Sequence, residues 1–285
     1  MKMDLFQGKS WKKHQNLKEE KEQTKINQMK RNPILLLSGL LALAIIACSS
    51  DSENEEVFVD DTINIDDGDG GTVTLSAAFA EFDEDETTIY LDGNNVVIET
   101  TGFPNHETVY WGEGSQLYIE EPEVQLTPSI IPNFDSSATL IVSANPELAA
   151  NSTATNLGAI GIAVSGAAIF NDQEGNGPLS GAAGSLDWTG GHIGPSVYHY
   201  HLEPKAWSDD DGALIGILAD GFFIYGRKDY DGNYPTDLDE SGGHFGPTPH
   251  NPDGEYHYHI QNELYLNQYY VIFPGDYQGT PSSIN

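Results

Sequence analysis

At 285 residues, with 38% hydrophobic and 20% charged side chains, the chain is long enough for one large domain or two small ones and too apolar for wholesale disorder. Its 44 acids against 12 Lys and Arg give a formal charge of −32, which excludes binding of nucleic acid or an anionic membrane surface through basic patches. The two signs are segregated. Nine of the 12 bases precede residue 48, leaving only Lys205, Arg227 and Lys228 after it, and only 4 of the 44 acids do so. The remainder carries 40 acids against three bases, a charge of −37.

Residues 1–47 read as a targeting region. Lys30-Arg31 precedes an apolar run from Pro33 to Ala47, short of the ~20 residues that span a bilayer comfortably, so a signal peptide is expected with Met29 as the true start. Ala47-Cys48 holds the only cysteine of the chain and resembles the lipobox of bacterial lipoproteins. The resemblance implies lipidation of Cys48, attachment to the membrane through that lipid, and a place in the cell envelope. Residues 48–71 are polar and acidic, the composition of a flexible tether. The acidic run after Cys48 also resembles the surface-export signal of lipoproteins in the Bacteroidetes, implying an outer-membrane, surface-exposed location. With Cys48 lipidated, no thiol remains for disulfides or Cys-ligated metal.

From residue 72 to 285 one β-rich domain is expected. Short β-prone runs at Thr72 to Phe82, Thr88 to Leu91, Val96 to Thr101, Thr108 to Trp111, Gln116 to Ile119 and Thr139 to Val142 are separated by turn residues such as Asp92-Gly93-Asn94-Asn95. No helical period follows the signal region, which predicts an all-β sandwich- or barrel-like fold with short helices at most.

The second half repeats itself. Gly161 to Phe170 aligns with Gly216 to Tyr225 at an offset of 55, Leu186 to Pro195 with Leu238 to Pro247 at 52, and Tyr198-His199-Tyr200-His201 with Tyr256-His257-Tyr258-His259 at 58. Three blocks in the same order predict two units, about 158–204 and 213–262, packed as a pseudo-twofold pair within one domain.

Seven of the nine histidines fall between residues 192 and 259. On a strand, side chains alternate, so His199 and His201 share one face opposite Tyr198 and Tyr200, as do His257 and His259 opposite Tyr256 and Tyr258. Imidazoles at i and i+2 start about 7 Å apart and can converge on one ion, with His192 or His244 as a third ligand. Such sets suit Cu or Zn, and also Fe or Ni. The rival reading is a metal-free ladder of hydrogen-bonded Tyr and His. Asp187 and Asp239 read either as acceptors that orient ligating imidazoles or as caps of the Gly-Gly-His turn. Asp229, Asp231, Asn233, Asp237 and Glu240 have the spacing of a Ca²⁺ loop, but Tyr234 stands where that loop requires Gly.

These blocks resemble the YHYH domain family. The resemblance rests on the two tetrapeptides, on Thr101-Gly102-Phe103-Pro104-Asn105-His106, on Asp220-Gly221-Phe222-Phe223-Ile224-Tyr225-Gly226 and on Phe273-Pro274, and covers roughly residues 95–280. It implies no established activity, and it adds His106 as a further candidate ligand. The chain departs from the family pattern in having Phe223 where Pro is usual and Ser241 where Cys is usual.

Three functions are compatible with the sequence. One is a lipid-anchored envelope protein that binds Cu or Zn for metal capture or metal-dependent chemistry. Another is a metal-free module for an extracellular glycan or protein, using Trp188, Tyr198, Tyr200, Trp207, Tyr256 and Tyr258 as stacking surfaces. The last is a metal-dependent hydrolase or oxidase with Asp220 or Asp239 as acid or base.

Overall fold

Buried Leu140 and Val142 flank exposed Ile141, and Val96, Val97 and Ile98 of the neighbouring central strand are all buried, so one face of a small antiparallel sheet turns inward. This sheet has the order β1 (Thr87–Asp92), β2 (Asn95–Thr100), β3 (Ala138–Ser143), and its first turn is the two-residue loop Gly93-Asn94 with Gly93 at φ +60°. The computed structural model describes residues 73–126, 129–175, 177–267 and 269–285. The signal region, the tether and Cys48 lie outside the described residues.

The second sheet has eight strands: β4 (Gly161–Ala163), β5 (Ala168–Ile169), β8 (Gly191–Ile193) and β9 (Tyr198–Tyr200) from the first repeat, and β10 (Leu214–Leu218), β11 (Phe223–Tyr225), β12 (Gly243–Gly246) and β13 (Glu255–His259) from the second. Their order, β12-β13-β11-β10-β4-β5-β9-β8, is a palindrome of the two repeats. Antiparallel β4 and β10 meet at the centre with Ile162 opposite Ile217, residues that are equivalent at the offset of 55. A pseudo-twofold axis therefore passes through that pair. On either side the register repeats: Ile169 opposite Tyr200 in parallel β5 and β9, and Ile224 opposite Tyr258 in parallel β11 and β13. A short hairpin, β6 (Gln173–Glu174) and β7 (Gly177–Pro178), branches off after β5.

Ile98, Leu140 and Val142 of the small sheet share one buried core with Ile162, Ile169, Ile217, Leu218 and Ile224 of the large one. This is the packing of a β-sandwich-like domain. Helical structure among the described residues is limited to 3₁₀ turns, two of which replace expected strands. Ala77–Glu81 forms one because Ser76 Oγ accepts from Ala78 N at 3.3 Å and an i, i+3 period turns Phe79 and Phe82 inward together. Val109–Trp111 forms another, and the expected strand at 116–119 is reduced to a single bridge from Tyr118 to Thr108.

The three bases after residue 48 meet in one network. Arg227 Nε lies 3.2 Å from both oxygens of buried Glu203, and its guanidinium stacks 3.7 Å over the Tyr270 ring. Lys205 reaches Glu203 at 2.9 Å, while Lys228 and Arg227 share Asp210 at 3.0 and 3.2 Å. None of these bases is left as an anion-binding patch, in keeping with the charge argument.

Candidate metal centres

The Leu-Asp-x-x-Gly-Gly-His blocks make tight turns for a steric and an electrostatic reason. Gly190 (φ +81°) and Gly242 (φ +83°) take the left-handed backbone that the turn needs. A Cβ on Gly191 would stand 2.5 Å from the Tyr198 hydroxyl, and one on Gly243 would stand 2.2 Å from that of Tyr256. The second glycine thus lets the first tyrosine of each tetrapeptide pass beneath it. That tyrosine donates to the block's own aspartate, Tyr198 to Asp187 and Tyr256 to Asp239, each at 2.6 Å. Each aspartate also accepts backbone N–H groups of its turn, at 2.8 Å from Thr189 and 2.8 Å from Ser241.

The turn delivers its histidine directly across from the tetrapeptide's first histidine. His192 is the cross-strand partner of His199, and His244 that of His257. Opposed residues of an antiparallel pair lie on the same face, and His201 and His259 follow two positions on. In the first centre, His199 Nε2 lies 3.1 Å from His192 Nε2 and 2.9 Å from His201 Nε2. In the second, His259 Nε2 lies 3.2 Å from His244 Nε2 and 3.0 Å from His257 Nε2. All six imidazoles are buried.

The far side of each ring fixes the tautomer. Nδ1 of His199, His201, His257 and His259 faces the carbonyl oxygens of Val197, Asn171, Glu255 and Gly226 at 2.6 to 3.1 Å. A carbonyl only accepts, so each of these Nδ1 atoms carries the proton. His244 Nδ1 faces the Asp237 carboxylate at 2.9 Å. His192 Nδ1 lies 2.8 Å from Ser185 Oγ, whose own proton goes to Ala182 O, so that hydroxyl accepts as well. In the neutral rings every Nε2 is consequently a bare lone pair. Burial disfavours the charged form of four of the rings: it holds His199 well below the usual imidazole range, lowers His192 and His257, and brings His259 down to about 4.

Each triad faces a carboxylate. Glu174, on β6, places Oε1 at 2.9 Å from His192 Nε2 and 3.0 Å from His201 Nε2. Despite these distances this buried oxygen makes no hydrogen bond of acceptable geometry, as expected when neither nitrogen bears a proton. Asp229 places Oδ2 at 3.7 Å from His244 Nε2. Within each group of four, the candidate ligand atoms lie within 4.8 Å of one another.

Lone pairs 2.9 to 3.2 Å apart in a buried site repel, and a cation between them removes the repulsion. An ion at the usual ~2.0–2.1 Å from the nitrogens would have roughly 90–100° between the members of each of these close pairs. Three neutral imidazoles and a carboxylate form a donor set for a divalent transition ion. Five strand steps of about 4.8 Å separate β9 from β13, so the centres lie about 24 Å apart along the sheet and are two sites.

Several expectations are corrected. His106 lies outside both groups: its Nδ1 faces Glu107 O and its Nε2 accepts from Tyr200 Oη at 2.7 Å, among the rings of Trp188, Tyr198 and Trp207. Asp187 and Asp239 cap turns and hold tyrosines, and Asp220 accepts from Tyr258 Oη at 2.6 Å and from Gly279 N at 3.0 Å; the imidazoles take other acceptors. The Ca²⁺ set does not assemble among the described residues, because Asp229 turns to the second triad, Asp237 binds His244, and Asp231 caps Asn233 N. Tyr198, Tyr200 and Tyr258 are at most 1% exposed, so three of the six proposed stacking rings have no free face.

The carboxylates were missed, although the repeat contained them. At the offset of 55, Glu174 falls on Asp229 and Asn171 on Gly226; at 52, Ser185 falls on Asp237. Each pair occupies the same place in its centre.

No curated protein and no solved structure matches the chain. Residues 139–234, from β3 through the first repeat to the loop after Asp229, match the family model described as YHYH protein.

Proposed function

We propose that this protein is a lipid-anchored cell-envelope protein of the outer membrane, held through Cys48, whose two histidine triads each bind a transition metal ion, zinc or copper. Its role is metal capture at the surface or chemistry at the bound ion. The observation that carries the reading is the set of six buried Nε2 lone pairs turned toward one another, with every Nδ1 committed to an acceptor. His192, His199, His201 and Glu174 would hold one ion, and His244, His257 and His259 the other. The single cysteine after an apolar run supports the anchor. Elemental analysis of the purified domain, as isolated and after incubation with Zn²⁺ or Cu²⁺, tests the reading. Two ions per chain are expected, and a domain that takes up neither metal at micromolar concentration refutes it.

A further inference from the structure

The two centres share a plan but differ at the fourth position, and the differences agree. In the first, Glu174 Oε1 reaches two imidazole nitrogens, at 2.9 and 3.0 Å, and has no hydrogen bond of its own. It is a donor atom aimed at the centre. In the second, Asp229 is tied back: its Oδ1 accepts from Tyr230 N at 2.8 Å, and its backbone closes a turn with Asn233 and Gly232. Its Oδ2 stops 3.7 Å from His244 Nε2. The imidazole anchors differ too, a neutral Ser185 hydroxyl behind His192 and the Asp237 carboxylate behind His244. A carboxylate behind a ligating imidazole raises its donor strength and supplies charge that an inner carboxylate would otherwise supply.

Resting on the metal reading above, we infer that the first centre is closed by Glu174, whereas the second keeps an open coordination position that takes water or another small neutral oxygen or nitrogen donor. Asp229 Oδ2 stands beyond that position as hydrogen-bond acceptor for the bound ligand. An anionic ligand is disfavoured, because the Asp229 and Asp237 carboxylates flank His244 from both ring nitrogens. The closed centre is thus structural, and the open one is where an external molecule meets the ion.

Pulsed electron paramagnetic resonance of the Cu²⁺-loaded protein in D₂O counts inner-sphere water directly, through the deuterium modulation. Glu174 lies on the short β6–β7 hairpin and Asp229 in a turn, and both side chains are partly exposed, so Glu174→Ala and Asp229→Ala are suited to leaving the fold intact. Loaded wild type is expected to show bound water on one of its two copper ions, Glu174→Ala to show it on both, and Asp229→Ala to remain like wild type. No inner-sphere water in wild type, water on both of its ions, or a gain of water in Asp229→Ala overturns the inference. Absence of any imidazole-coordinated copper signal instead defeats the metal reading itself.

Discussion

Metal loading has a calculable effect on stability. A ligand that binds only the folded state stabilises it by RT ln(1 + [L]/Kd), about 2.7 kcal/mol per site at a hundredfold excess over Kd. With two separate centres this amounts to about 5 kcal/mol. For a folded region of this size each kcal/mol moves the melting temperature by about 2–4 °C, so saturation with Zn²⁺ raises it by roughly 10–20 °C, and a chelator reverses the rise. His201→Ala removes one centre and His259→Ala the other, so each variant retains about half of the metal-induced shift whatever its own baseline. Differential scanning fluorimetry with and without Zn²⁺ reads all three proteins. A shift that persists unchanged in both variants, or is absent in wild type, refutes the argument from the facing lone pairs.

Other expectations follow from single residues. Tyr198→Phe takes a donor from buried Asp187 and should cost about 1.5–3 kcal/mol, whereas Tyr256→Phe, beside exposed Asp239, costs less than half of that; denaturant titration compares them. Gly191→Ala drives a methyl into the Tyr198 hydroxyl and should destabilise by about 3 kcal/mol or more while abolishing one metal equivalent, read by melting and elemental analysis. Glu121 is held up to about 7 by burial and then by the Asp187 charge, so its folded-state pKa lies above its ordinary value of 4.5. The stability it contributes is present below that ordinary value and is lost as pH rises through about 7. Glu121→Gln should therefore gain on wild type between pH 4 and 8, by at most about 3 kcal/mol in chemical denaturation. Cys48→Ala should move the protein from the membrane to the soluble fraction if the cysteine carries the anchor.

The fold class and the histidine pattern were legible because both rest on short-range periodicities. A β-branched run such as Val96-Val97-Ile98 bounded by turn residues marks a strand without knowledge of its partner, and His-x-His shares a face by geometry alone. The duplication was visible too, and it led to the palindromic sheet once Ile162 was found opposite Ile217. What escaped depends on contacts distant in the chain. Glu174 reaches His192 only because the β6–β7 hairpin folds back, and nothing adjacent to either residue records that. The tyrosines were misjudged because the amphipathic ring that suits a sugar surface also suits a buried site with one polar partner, which Asp187 and Asp220 provide. Ala77–Glu81 looked like a strand because its apolar residues are dense, whereas the Ser76 cap and the spacing of Phe79 and Phe82 favour a turn of helix.

The Ile162–Ile217 pairing has an evolutionary consequence. Because β4 and β10 are equivalent strands meeting antiparallel about an axis, the seam between the halves is isologous: each contributes the same edge to the other. A chain carrying a single repeat would present that edge to a second copy and build the same eight-stranded sheet as a homodimer with two identical ion sites. Joined in one chain, the halves are free to differ, and Glu174 and Ser185 in one stand where the other has Asp229 and Asp237.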